Sequence, residues 1–158
     1  MTTPEPRAYA DLCRRLLGVE MSACETYTEA LDYFHDDPEQ SLLLAIRAGH
    51  DENVDCLGDH IVALGMEIRP DDDTRNFFSK AVEGVSSTFG ESATLLALEA
   101  GETGALKECR AGLANPAVPD SLKEDLRHRL IPRLQRHVEE LERLRSAQAA
   151  DQLMAQGA

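Results

Sequence analysis

The residues best suited to chemistry are two glutamates and two histidines, each on or beside the apolar stripe of a different predicted helix. They are Glu25, His50, Glu102 and His137. Carboxylates and imidazoles at matched depth in a helical core are typical ligands of iron, manganese or zinc. A buried carboxylate without a partner is costly, so these side chains need a cation or each other. The pattern predicts either one transition-metal ion or a metal-free Glu–His network, with Glu25 alternatively turned toward solvent beside Cys24.

Four long amphipathic segments and one short segment must position these residues. Apolar residues recur at three- and four-residue spacing, and Pro, Gly and Asp mark the segment ends. No segment shows the two-residue alternation of a strand, so the fold class is all-α, an antiparallel four-helix bundle with a short extra helix between helices 2 and 3. Pro132 predicts a kink in the last helix. The predicted helices cover residues 7–35, 38–64, 74–88, 91–114 and 120–145, within a domain at 7–147 and flexible termini at 1–6 and 148–158.

The relative depth of the four polar residues depends on the path of the short helix. If it travels back across the bundle, helix 3 runs parallel to helix 2, and all four residues can fall within one layer at about 1.5 Å of rise per residue. Counted from the turn at Asn115 and Pro116 instead, His137 lies about 9 Å deeper than Glu102. Glu99 would then be the carboxylate nearer to His137.

Composition excludes some partners and indicates a compartment. Sixteen basic and 29 acidic residues give a net charge of −13, which disfavours nucleic acid and anionic membranes. No apolar run is long enough to span a bilayer, and no signal peptide is recognisable. Four cysteines lack the spacing of a zinc finger and are read as small packing residues, so a cytoplasmic location is expected.

Several segments resemble a bacterial ferritin-like family of uncharacterised function. The resemblance covers residues 8–145 and is carried by Glu25-Thr-Tyr27-Thr-Glu-Ala30, the stretch from Leu57 to Gly65, Glu99-Ala-Gly-Glu102, and His137. Ferritin-like diiron proteins place a Glu on each of two helices and a Glu-x-x-His pair on each of the other two. Here helix 2 reads His50-Asp-Glu-Asn53 and helix 4 reads Leu134-Gln-Arg-His137, and neither supplies the Glu before its His. The resemblance therefore implies a bundle that is not a conventional diiron ferroxidase or oxygenase.

Three functions are compatible with these features. The leading hypothesis is a ferritin-like protein that binds one iron, manganese or zinc ion, or none. An enzyme hypothesis is iron oxidation or redox chemistry at an unconventional site, with substitute carboxylates from Asp51, Glu52 or Glu99. The third is a helical interaction module that forms a homodimer or docks a helix through its unfilled apolar stripe. Phe77, Phe78 and Phe89 are the candidates for this surface, with packing in the core as the alternative. No residues suggest a catalytic nucleophile, and His35, His60 and His128 are interpreted as helix-end or solvated residues.

Overall fold

The chain is helical throughout the part that the structure describes. The computed structural model covers residues 6–83 and 90–157, and no strand occurs in those two ranges. The all-α prediction is therefore confirmed. The long helices are α1 Pro6–Ala30, α2 Asp37–Ala63, α4 Gly90–Ala114 and α6 Ile131–Gln156, and the short ones are α3 Phe77–Val82 and α5 Asp120–Asp125. Short 3₁₀ turns lie at Leu31–Tyr33 and Asp72–Thr74.

The connection after α2 runs back along α1. The Asp71 backbone N–H donates to the Arg14 carbonyl at 3.0 Å, and the Phe78 N–H donates to the Ser22 hydroxyl at 2.9 Å. These contacts follow α1 toward its C-terminus, so α4 begins at the end of the molecule where α2 begins. Burial and the neighbouring Glu39 carboxylate raise the pKa of Glu91, consistent with this placement. Helices α2 and α4 consequently run parallel, which brings their midpoints level.

The core is mainly aliphatic and closes over one aromatic ring from the connection. Helix α1 packs against α2, α4 packs against α6, and α3 fills the space between α1 and α4. Phe78 of α3 is fully buried, and its ring lies against the backbone of Gly101 in α4. The ring also contacts the imidazole of His50 with centroids 5.4 Å apart. The short helix therefore forms one wall of the region where the polar residues meet.

The close approach of Phe78 to α4 predicts that Gly101→Ala destabilises the fold. A Cβ at Gly101 would lie 2.6 Å from Cδ1 of Phe78, and that ring is fully buried. Overpacking of this kind lowers the free energy of unfolding by about 1 to 3 kcal/mol, as urea denaturation would measure.

Gly58→Ala is the matched control. A Cβ at Gly58 would meet only Cδ1 of Ile68 at 3.4 Å, an ordinary contact. Alanine is favoured over glycine in a helix by about 1 kcal/mol, so this variant should be at least as stable as the wild type. Equal stabilities for the two variants would contradict the packing of Phe78 on Gly101.

The last helix differs from the expected kinked helix. A π-turn at Leu126–Leu130 joins α5 to α6 immediately before Pro132. Because Pro132 has no N–H and its ring clashes with the carbonyl four residues earlier, a widened turn relieves the conflict. Helix α6 then continues to Gln156, through the segment where the sequence analysis placed a flexible terminus.

Residues 1–5, 84–89 and 158, which include Phe89, lie outside the described residues. Within the described ranges, no helix combines the length and the apolar composition that crossing a membrane requires.

Candidate functional site

Three of the four predicted residues meet at the centre of the molecule. His50 of α2, Glu102 of α4 and His137 of α6 are all buried, and each has a ligand atom within 4.8 Å of the others. His50 Nε2 lies 2.7 Å from Glu102 Oε1, and His137 Nδ1 lies 3.3 Å from the same oxygen. The Tyr27 hydroxyl donates a hydrogen bond to this oxygen at 2.7 Å. His137 therefore lies in the same layer as Glu102.

Glu25 is not part of this group, and Glu20 occupies the place expected for it. Glu25 is exposed on α1, whereas Glu20 is 1% exposed and its Oε2 lies 2.5 Å from His50 Nδ1. Residues five apart on a helix point about 140° away from each other, so only one of the two can face the core. Glu20 follows Leu16 by four positions and precedes Tyr27 by seven, which places it squarely on the apolar stripe. That spacing would have allowed Glu20 to be predicted as a core residue from the sequence.

A chain of hydrogen bonds connects Glu20 to the surface. Asn53 Nδ2 donates to Glu20 Oε2 at 3.2 Å, and the Arg133 guanidinium donates to Asn53 Oδ1. Arg133 also forms an ion pair with the exposed Glu52 at 2.7 Å. Asn53 is thus a buried residue that positions Glu20.

The central histidine is an imidazolium held between two carboxylates. Burial alone lowers the pKa of His50, but the adjacent charges of Glu102 and Glu20 and their hydrogen bonds raise it to about 10. Burial conversely raises the pKa of Glu102, but His50 and His137 lower it to about 2. Since Glu20 and Glu102 are the two carboxylates on one imidazolium, the buried group carries a net charge of −1 in this state.

Two polar atoms of the site have no hydrogen-bond partner among the described residues. They are Glu102 Oε2 and His137 Nδ1, and both are fully buried. An unpartnered buried polar atom costs about 1 to 3 kcal/mol. Although His137 Nδ1 is 3.3 Å from Glu102 Oε1, it is not aligned to bond with it. The two free atoms and the excess negative charge both suit a bound cation.

The backbone of α2 allows His137 to approach this closely. A Cβ at Gly49 would lie 2.7 Å from His137 Nε2 and 3.1 Å from Cδ of Arg133. Glycine at this position therefore lets α6 place both side chains against α2.

The three carboxylates that the enzyme hypothesis needs as substitutes interact with residues outside the site. Asp51 is exposed and accepts a hydrogen bond from Cys24 Sγ at 3.2 Å. Glu52 pairs with Arg133, and Glu99 pairs with Arg145 at 2.6 Å. None of the three belongs to the group formed by His50, Glu102 and His137. The described residues thus supply two carboxylates at this site, Glu20 and Glu102.

Phe77, Phe78 and the other histidines singled out in the sequence are not ligand residues of this site. Phe78 is buried and Phe77 is half-buried against Gly104, so neither ring provides the open surface that the interaction hypothesis needs. His35 and His128 are exposed, as expected. His60 is not: it is half-buried and belongs to a second cluster of polar residues.

Comparison with known proteins gives no family assignment. No protein-family model matches the chain, and neither a curated protein nor a solved structure matches it. The ferritin-like resemblance therefore stays a prediction.

Proposed function

We propose that this protein binds a single transition-metal ion through His50, Glu102 and His137. The observation that carries the proposal is the pair of buried, unpartnered ligand atoms, Glu102 Oε2 and His137 Nδ1, beside a third ligand nitrogen on His50. Two imidazoles and one carboxylate form the ligand set of many mononuclear iron sites and of some catalytic zinc sites. Iron, manganese and zinc are the candidate ions.

The surrounding residues have the roles that such a site requires. Histidine ligands usually donate their second ring N–H to a carboxylate, and Glu20 lies 2.5 Å from His50 Nδ1 in position to accept it. The Tyr27 hydroxyl fixes the Glu102 carboxylate by a hydrogen bond at 2.7 Å. For His50 to become a ligand, its Nε2 proton must leave, so metal binding and proton release are linked.

The carboxylate count favours one ion over two. A ferritin-like diiron centre uses four glutamates and two histidines, whereas this site has Glu20 and Glu102. With His50 neutral, those two carboxylates balance the charge of one divalent cation. A second cation in the same layer would lack both ligands and compensating charge. We therefore infer a mononuclear site and no conventional diiron ferroxidase or oxygenase activity.

Manganese binding tests the proposal, since Mn²⁺ prefers oxygen and imidazole ligands and avoids thiols. Electron paramagnetic resonance of metal-depleted, full-length protein titrated with Mn²⁺ should show one bound ion, and anomalous diffraction should place it against His50, Glu102 and His137. His137→Ala should abolish that peak. Glu20→Gln should lower the affinity by about 10- to 100-fold, because it removes the carboxylate that orients His50.

Glu25→Gln is the matched control for Glu20→Gln. Both glutamates are on α1, but Glu25 is exposed, so its substitution should leave the Mn²⁺ affinity unchanged. Absence of Mn²⁺, iron and zinc at His50, Glu102 and His137 in the wild type would favour a purely structural Glu–His network. Two ions bridged by Glu102 would show that the mononuclear assignment is wrong.

The ferritin-like architecture is part of the same proposal. It is supported by four long helices, a connection that returns along α1 so that α2 and α4 run parallel, and inward-facing Glu and His residues on different helices.

A cytoplasmic location is supported by the free thiols of Cys13, Cys24, Cys56 and Cys109. The acidic charge supports the absence of nucleic-acid and membrane partners, and homodimerisation stays a prediction that solution mass would test.

A further inference from the structure

A second group of ligand-type residues lies further along α2. Cys56 and His60 are one helical turn apart, and Asp125 approaches them from the end of α5. Their ligand atoms all lie within 4.8 Å of one another, and His60 Nε2 is 2.6 Å from Asp125 Oδ2. Cys56 follows His50 by six residues, a rise of about 9 Å. This group is therefore separate from the site at His50.

We propose that Cys56, His60 and Asp125 form a second metal site, which takes Zn²⁺ with an open fourth position. A thiolate, an imidazole and a carboxylate are all common zinc ligands. The thiolate and the carboxylate together balance the charge of one divalent zinc ion. The thiolate also distinguishes this site from the one at His50, because sulfur ligands disfavour manganese.

Tyr9 holds the His60 ring in the orientation that the site needs. The Tyr9 hydroxyl is hydrogen-bonded to His60 Nδ1, which leaves Nε2 directed at Asp125. Without metal, Nε2 carries the proton that Asp125 accepts, and Nδ1 accepts from Tyr9. When zinc binds Nε2, the proton resides on Nδ1 and is donated to the Tyr9 oxygen, while Cys56 releases its proton to solvent. Tyr9 can serve either tautomer because a hydroxyl both donates and accepts.

The local backbone and exposure leave room for an ion to enter. Asp125 is the last residue before the π-turn at Leu126–Leu130, and such widened turns recur at functional sites. The side chains of His60 and Asp125 are 11% and 25% exposed, so water can reach the group. Arg129 pairs with Asp125 Oδ1 at 3.4 Å, but its side chain is 65% exposed, so it can move into solvent when a cation binds.

A catalytic cysteine is the competing interpretation of these residues. A cysteine nucleophile needs a histidine that takes its proton, but both ring nitrogens of His60 are already engaged, by Tyr9 and Asp125. Burial and the Asp125 charge also raise the pKa of Cys56 to about 11, so the free thiol is a weak nucleophile at neutral pH. Metal coordination fits the arrangement better than covalent catalysis does.

Cobalt substitution tests the site through its sulfur ligand. Full-length, metal-depleted protein carrying His137→Ala, which disables the first site, is titrated with Co²⁺ and then with Zn²⁺. We expect a near-ultraviolet thiolate-to-cobalt charge-transfer band that saturates at one equivalent and is displaced by zinc. Cys56→Ser in the same background should abolish the band, and Tyr9→Phe should weaken zinc binding by about 10- to 100-fold.

Cys24→Ser is the matched control. The Cys24 thiol also lies beside a carboxylate, with its Sγ 3.2 Å from Asp51 Oδ1, but Cys24 is absent from both groups of potential metal ligands. The band should survive this substitution, and circular dichroism should show that each variant is helical. A missing band in the Cys56-containing protein, or a band that persists in Cys56→Ser, would overturn the proposal. Repeating the titration with His137 intact adds the first site's ion without changing the thiolate band, so each proposal can fail independently.

Discussion

Replacing Glu102 by glutamine is expected to lower the free energy of unfolding of the metal-free protein by about 3 to 5 kcal/mol. The side chain is 0% exposed, and its Oε1 accepts hydrogen bonds from both Tyr27 and His50. The substitution keeps the shape but removes the charge that holds the His50 imidazolium. The remaining partner of that imidazolium is Glu20. Urea denaturation at neutral pH with a chelator present would measure the loss.

Glu99→Gln on the same helix is the matched control. Glu99 is one turn before Glu102 and is also buried, with a side chain that is 8% exposed. Its partner Arg145 is 35% exposed, so water can solvate the guanidinium when the charge of Glu99 is removed. The expected cost is about 1 kcal/mol or less, as for most solvent-accessible ion pairs. Similar losses for both variants would show that the charge of Glu102 has no special role in the core.

Replacing His50 by glutamine should destabilise the metal-free protein by about 3 to 5 kcal/mol at pH 7 and change the pH range over which acid stabilises it. The variant retains Glu20 and Glu102 in the core without the cation between them. Two buried carboxylates that share a site raise the pKa of one of them. The variant should therefore gain stability as the pH falls from 7 toward 5, because one carboxylate takes up a proton.

In the wild type, the dependence of stability on pH is set by two groups whose pKa values are shifted in the folded state, His50 and Glu102. The folded-state pKa of His50 is raised from 6.5 to about 10, so its contribution is complete below pH 6.5 and is lost as the pH rises through about 10. The pKa of Glu102 is lowered from 4.5 to about 2, so its contribution is complete above pH 4.5 and is lost as the pH falls through about 2. Together they predict maximal stability between pH 4.5 and 6.5 for the metal-free protein.

His128→Gln provides the control for this experiment. His128 is exposed on the π-turn, so its variant should follow the wild-type profile. Chemical denaturation of all three proteins between pH 4 and 9, with a chelator present, would show how the free energy of unfolding of each depends on pH. A His50→Gln profile parallel to the wild type would contradict the carboxylate–imidazolium–carboxylate arrangement.

Sequence spacing predicted the helices and three residues of the site for the same physical reason. His50, Glu102 and His137 stand where apolar residues should recur, and packing the helices turns those positions inward. Glu25 was predicted because it lies beside the apolar stripe, with rotation toward solvent as the alternative, and it proved to be exposed. Glu20 satisfied the helical spacing better and was missed.

Contacts between distant segments could not be read from local spacing. His60 looked like a solvated residue because Tyr9 and Asp125, its hydrogen-bond partners, lie 51 and 65 residues away in sequence. Likewise, Pro132 indicated a disturbance in the last helix, but only the packed structure shows that a π-turn accommodates it. The sequence also contains Asn53 and Arg133 without any sign that they jointly support Glu20.

The buried polar group also determines how the helices can align. Side chains of Leu and Ala make up most of this core, and such surfaces tolerate sliding by one helical turn, about 5.4 Å, at moderate cost. His50 touches Glu20 on one helix and Glu102 on another at hydrogen-bond distance, so any such slip would strand charges in an apolar interior. The hydrogen-bonded network therefore fixes the relative register of the helices, because it excludes the misaligned packings that an aliphatic core alone would permit.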